Sequence, residues 1–324
     1  MTQTNAKRNN KADYSFNIAG NGKIVSFVGT TKNGTSFIVN NLAQLLSEEG
    51  IKTCIIDLTR NKNSYYLYTD NDNKKSAIAS KSLEELSNGN LKGLEINNNL
   101  TLFTSLPEAS DKVDFNIQNI LNLVSTNFDI ILLDCDFNTP YTYFVKSNEI
   151  YLIQSMDAFT IQPLTKFLSD LKAANALDET KLRVIINKYV KLRKVDYKMI
   201  VGGMSKYNEP SMTLQRDLFD SKTIQISVIP FDMQTYIKGL EQIAFCQVSL
   251  NGYSNEVYNC LKQLKNQVYP LIAQDSNGGK KIFGKYNNSN KYNNEYSYKT
   301  EKIDDVKFND NISSTLDKMR KNNY

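Results

Sequence analysis

From Lys23 onward the chain alternates short β-branched runs with longer stretches whose apolar residues recur at helical spacing, and this rhythm constrains the fold more than any other feature. The runs predict strands at 24–28, 53–58, 100–104, 130–134, 150–153, 183–187 and 225–229. Several are apolar on both faces. A strand apolar on both faces is covered on both, so the pattern predicts an α/β fold: a doubly wound, mainly parallel sheet with helices on both faces. Between the strands, Ile38, Leu42, Leu45 and Leu46 fall on one helical stripe that Gly50 terminates. Val113, Ile117, Ile120, Leu121 and Val124 predict a helix over 113–126, and another follows Pro163. A last helix over 255–269 places Val257, Leu261, Leu264 and Val268 on one face before Pro270.

Composition divides the rest of the chain. Residues 1–22 are polar and predict a flexible arm, which leaves 23–274 as the folded domain. Two stretches interrupt the alternation and predict insertions or mobile loops: 59–99, rich in Asn, Lys, Ser and Tyr, and 190–222, with Gly202, Gly203 and Pro210. The tail 275–324, rich in Asn, Tyr and Lys, has a disordered composition. It carries Tyr286, Tyr292, Tyr296 and Tyr298, and Ile312, Leu316 and Met319 form a short apolar stripe near its end.

The chain contains no histidine, which excludes Ser-His-Asp and Cys-His nucleophiles, His-ligated zinc or haem, and a His base. No apolar run approaches the ~20 residues of a membrane span, and the polar start lacks a signal-peptide core, so the expected location is cytoplasmic. Cys54, Cys135, Cys246 and Cys260 are widely spaced and read as reduced packing thiols. A formal charge of +5 is spread along the chain and gives little support to DNA contact.

The chemistry concentrates at the first strand-to-helix turn: Gly29, Thr30, Thr31, Lys32, Asn33, Gly34, Thr35 and Ser36. A helix N-terminus offers unpaired N–H groups and partial positive charge to an anion, and glycine lets the backbone approach it. Gly29 and Gly34 supply that approach, and Ser36 supplies a hydroxyl of the kind that ligates magnesium. Asp57 and Asp134 end two further strands at the carboxyl edge, where ligands bind in doubly wound sheets.

This turn resembles the deviant Walker A loop of the MinD/ParA-like P-loop ATPases, GKGGxGKT followed by a helix containing NLA. Asn41-Leu42-Ala43 fixes the register. Gly29 then takes the first glycine, Gly34 the last, and Ser36 the magnesium-binding hydroxyl. Thr35 stands where the family has its phosphate-binding lysine, Thr30 replaces the signature lysine, and Thr31 and Lys32 fill usual glycine positions. Ile55-Ile56-Asp57 resembles the second-strand motif, with Thr59 in place of the family's second aspartate. The strand ending in Asp134 resembles Walker B. Asn187 and Pro230 fall where the family contacts the base.

The resemblance covers about residues 23–270. It implies ATP or ADP with Mg2+, held by Gly29, Thr30, Lys32, Asn33, Gly34, Thr35 and Ser36, with Ser36, Asp57 and Asp134 at the metal. Loss of a charge at Thr35 and a carboxylate at Thr59 weakens both charge stabilisation and water positioning in phosphoryl transfer. The implied role is a homodimeric adaptor with weak or no hydrolysis, serving a cell-envelope, pilus or secretion assembly as in the TadZ/CpaE branch. Recruitment to the membrane periphery through the 312–319 stripe is a further implication. The alternatives are an active ATPase or tyrosine autokinase, with Lys32 or another basic residue replacing the lysine and Tyr286, Tyr292, Tyr296 and Tyr298 phosphorylated, and a partitioning ATPase touching DNA.

Overall fold

In the computed structural model, which describes residues 22–69, 72–107, 116–209 and 215–270, each of the seven expected strands forms. The element order is β1 (Lys23–Gly29), α1 (Thr35–Glu48), β2 (Thr53–Asp57), α2 (Asn63–Thr69), α3 (Asn73–Ser87), β3 (Leu94–Asn97) and β4 (Leu100–Phe103). It continues with α4 (Ile117–Asn127), β5 (Ile130–Cys135), α5 (Tyr141–Lys146), β6 (Glu149–Gln154), α6 (Ile161–Ala173), β7 (Leu182–Tyr189) and α7 (Tyr197–Met204). The last elements are β8 (Lys206–Asn208), β9 (Gln215–Asp217), β10 (Gln225–Pro230), α8 (Met233–Phe245) and α9 (Asn255–Val268).

Eight strands form one sheet in the order β10-β7-β6-β1-β5-β2-β4-β3, parallel except for β3 at one edge. β8 and β9 form a separate antiparallel pair. Side chains alternate across the sheet: Ile24 and Val28 of β1 join one core with α4, α6 and α7, while Val25 and Phe27 join the other with α1 and α9. The central strands are largely apolar on both faces because both faces are covered. On α1, Ile38, Leu42, Leu45 and Leu46 are buried, each contributing roughly 2 kcal/mol by burial. Gly50 follows at φ 84°, the left-handed conformation that ends the helix.

Four differences from the sequence reading have local causes. The segment 59–99 contains α2, α3 and β3; its polar composition hides a stripe of Ala79, Leu83 and Leu86, all buried. The segment 190–222 contains α7, β8 and β9, with Ile200, Val201 and Met204 buried. The helix expected over 113–126 runs over 117–127, because the Asn116 side chain accepts from the Asn119 N–H at 3.1 Å and caps it there; Val113 lies outside the described residues. α6 begins two residues before Pro163, which sits in the first turn where its missing N–H costs nothing.

One ion pair ties α1 to α9. Lys265 is 2% exposed, and its ammonium donates to both Glu49 carboxylate oxygens, at 2.7 and 2.6 Å. All four cysteines are free thiols. No described helix is long and apolar enough to cross a membrane. The polar arm up to residue 21, the four tail tyrosines and the 312–319 stripe lie outside the described residues.

Candidate nucleotide site

Strand parity brings the chemical groups together. Ile55 of β2 and Leu132 of β5 face the α1 side of the sheet, so Asp57 and Asp134, two residues further on, face it as well. They are direct partners across the β2–β5 ladder, at the carboxyl edge beside the start of α1. Gly29 ends β1 at the same edge. A cavity of about 680 Å³ opens there, lined by Gly29, Thr30, Lys32, Gly34, Thr35 and Ser36 and, across from them, by Lys188 and α8.

The loop between β1 and α1 is shaped by three requirements. A Cβ on Gly29 would lie 2.5 Å from the Ile153 carbonyl, so the strand-to-loop corner admits only glycine. Gly34 is the N-cap of α1 at φ 92°, and a Cβ there would meet the Asn187 amide nitrogen at 2.3 Å. Between them the Asn33 N–H donates to the Thr30 carbonyl at 3.1 Å, and Lys32 takes φ 70°. With no side-chain cap on α1, its first N–H groups remain for an anion. The Thr30 hydroxyl donates to the Thr160 carbonyl at 2.9 Å, so it braces the loop from outside.

The two carboxylates differ sharply. Asp57 is fully buried and satisfied: one oxygen accepts from the Thr59 N–H at 3.0 Å and hydroxyl at 2.6 Å, the other from the Ser64 N–H at 3.0 Å. Burial pushes its pKa up, opposed by Lys62 and by these donors. Asp134 is also fully buried, yet neither of its oxygens has a hydrogen-bond partner. Its pKa is raised further, first by burial and then by the Asp57 charge; the Ser36 hydroxyl offsets part of this from outside hydrogen-bond geometry. An orphaned buried carboxylate beside a serine hydroxyl fits a hard divalent cation such as Mg2+. Among the described residues no group of three or more His, Cys, Asp or Glu is placed to hold a metal ion by itself, and Mg2+ is commonly held by one or two carboxylates plus phosphate and water.

At the β7 end of the site, Asn187 is 3% exposed, and its amide donates to the Asn33 carbonyl at 2.8 Å. Pro230 and Ile229 line an adjoining apolar cavity of about 190 Å³ with Phe37 and Phe231. The fold therefore gathers the residues expected at the nucleotide and the metal around one edge of the sheet. The sequence reading missed Lys188, whose ammonium donates to the Lys32 carbonyl at 2.9 Å, and Lys62, whose ammonium donates to the Asp57 carbonyl at 2.9 Å. The signal for Lys188 was its place directly after Asn187. For Lys62 there was none, because its segment read as a loop.

A glycine loop feeding a helix N-terminus, with paired strand-end carboxylates beneath, is the arrangement of a P-loop fold of the doubly wound class. No family model matches the chain, and no curated protein matches it. Among solved structures, it is similar to a putative plasmid partition protein from Borrelia burgdorferi bound to AMPPNP, with 16% identity, TM-score 0.54, and 76% of this chain and 98% of that one covered. It is similar to a ParA family ATPase from Chlorobium tepidum, with 15% identity, TM-score 0.55, and 75% and 98% covered. The third is the septum site-determining protein MinD with Mg-ADP from Pyrococcus horikoshii, with 18% identity, TM-score 0.52, and 77% and 96% covered. The fold is that of the MinD/ParA-type P-loop ATPases.

Proposed function

We propose that this chain binds ATP or ADP with Mg2+ at the loop 29–36, hydrolyses it weakly or not at all, and works as a homodimeric adaptor that positions a larger assembly. The observation that carries this reading is Thr59. In the aspartate position of the resemblance, its N–H and its hydroxyl both donate to Asp57, so it holds a neighbour and presents no carboxylate to the cavity. Thr35 likewise brings no charge, while the backbone cradle is intact.

In this reading the free N–H groups of α1 receive the phosphates, Ser36 and Asp134 hold the cation, and Asp57 stays a buried neighbour fixed by Thr59 and Ser64. Mg2+, when bound, neutralises charge on the phosphate oxygens. The carboxylate that lines the cavity, Asp136, already accepts from the Arg60 and Asn138 N–H groups, one on each oxygen, so bound nucleotide acts as a conformational ligand. The surface for a second copy is α8, whose Met233, Tyr236, Ile237, Leu240, Ile243 and Phe245 are all exposed. Tyr236 and Ile243 also line the cavity above the loop, so a copy docked on α8 would close over the nucleotide and tie dimerisation to occupancy.

The test is ATP binding and turnover by the wild type, Thr35→Lys and Asp134→Ala, with the sedimentation of wild type and Ile243→Asp followed with and without Mg-ATP. The expected outcome is binding without appreciable turnover, tighter binding by Thr35→Lys, and a nucleotide-dependent dimer that Ile243→Asp abolishes. Robust turnover abolished by Asp134→Ala would sink the adaptor reading.

A further inference from the structure

The loop lacks the lysine its geometry calls for at Thr35, yet an ammonium is held over it by another route. β10 pairs Val228 with Ile186 and then Pro230 with Tyr189, so Asn187 and Lys188 together face the single residue Ile229. This bulge re-aims both side chains. Lys188 completes it in the left-handed region, at φ 53°, a conformation that costs a non-glycine residue about 1 kcal/mol. Both side chains then run to the loop: Asn187 donates to the Asn33 carbonyl at 2.8 Å and Lys188 to the Lys32 carbonyl at 2.9 Å.

The position of Lys188 is electrostatically odd for a purely structural lysine. Its Cε lies 3.9 Å from the point a Cβ on Gly34 would occupy, and Gly34 is the N-cap of α1. An ammonium thus sits at the positive end of a helix, a like-sign arrangement that an anion placed between them converts into a favourable one. Lys188 also lines both the cavity over the loop and the adjoining apolar one, where phosphate and base ends of a nucleotide would meet. The other nearby lysines are placed differently. Lys32 is exposed, and Lys62 is bonded to the Asp57 carbonyl on the carboxylate side.

We infer that Lys188, delivered by the β7 bulge, is the phosphate-binding lysine of this site and replaces the one absent at Thr35. The inference rests on the nucleotide reading above. On binding, the Lys188 ammonium leaves or shares the Lys32 carbonyl and donates to a phosphate oxygen, while Asn187 keeps the loop in register.

The experiment measures the affinity of the full chain for ATP, inorganic tripolyphosphate and adenosine, in wild type, Lys188→Gln, Lys188→Arg and the double variant Lys188→Gln/Thr35→Lys. Gln retains a donor for the Lys32 carbonyl but not the charge, so a bracing role and a phosphate-binding role separate. The expected result is a loss of about 10-fold or more for ATP and tripolyphosphate in Lys188→Gln, little change for adenosine, retention in Lys188→Arg, and recovery in the double variant. Unchanged ATP affinity in Lys188→Gln, or an equal loss for adenosine, overturns the assignment of Lys188 while leaving nucleotide binding intact. Failure of the wild type to bind either ATP or tripolyphosphate overturns the nucleotide reading itself.

Discussion

Replacing Asp134 by Asn should stabilise the protein in the absence of a divalent cation and destroy its response to Mg-ATP. Asp57 and Asp134 are ladder partners on adjacent strands, about 5 Å apart by strand spacing, and both are fully buried. At an effective dielectric near 20 their mutual repulsion is about 3 kcal/mol when both are ionised. Asn keeps the shape of the side chain and removes the charge, but its unpaired amide costs about 1–3 kcal/mol, so the net gain where both carboxylates would be ionised is about 1 kcal/mol. The pH dependence has a definite sign. The folded pKa of Asp134 is raised by burial and by Asp57, so the folded state holds a proton that the unfolded chain releases near pH ~4. Wild-type stability therefore falls as pH rises from about 4 through the folded value, and the variant's curve is flatter. Urea denaturation in EDTA across this range reads both effects. With Mg-ATP at about 100 times its Kd the wild type should gain about 2.7 kcal/mol and Asp134→Asn almost nothing. A variant less stable than wild type at every pH in EDTA, or one that gains as much from Mg-ATP, would refute the electrostatic account of this site.

Three other outcomes follow from the geometry. Glu49→Ala strands the buried Lys265 ammonium and should cost about 3 kcal/mol in chemical denaturation, and adding Lys265→Met should recover most of it; an additive double variant argues against the pairing. Gly34→Ala forces a Cβ into the Asn187 amide at a left-handed position, so ATP binding should vanish while far-UV circular dichroism stays close to wild type. Asp232→Ala removes the side chain that accepts from the Thr235 N–H at 2.7 Å and caps α8, a loss of about 1 kcal/mol seen in thermal melts. That same bond lowers the Asp232 pKa, so its contribution should be complete above about pH 4 and fade as pH falls through the lowered value.

The central strands were legible because a buried parallel strand declares itself as an unbroken apolar run, as in Ile130–Leu133. The shortest strands were not: β3, β8 and β9 are three or four residues long, and their burial alternates or is absent. α8 escaped for a related reason, since its apolar stripe faces away from both cores and carries no sign of what it packs against. At the site, the glycines of the loop and the strand ends Asp57 and Asp134 stood out in the pattern, and the resemblance carried by Asn41-Leu42-Ala43 set the register of Gly29, Gly34 and Ser36. What sequence hid was pairing. Nothing in the chain order shows that Thr59 turns back onto Asp57, that Asp134 is left without a donor, or that a bulge delivers Lys188 to a loop more than 150 positions away.

The strand order has a consequence for synthesis. β1 carries the loop and emerges first among the strands, yet it lies in the middle of the sheet, and both of its neighbours come from beyond residue 129. At about 5–20 residues per second, Lys23 waits roughly 5–20 s for Ile130, its ladder partner. Through that interval Val25, Phe27 and Val28, destined for complete burial, have no strand to pair with. The loop between β1 and α1 is therefore completed late, and a nascent chain halted before β5 would present an apolar strand with two open edges, a natural target for chaperone capture.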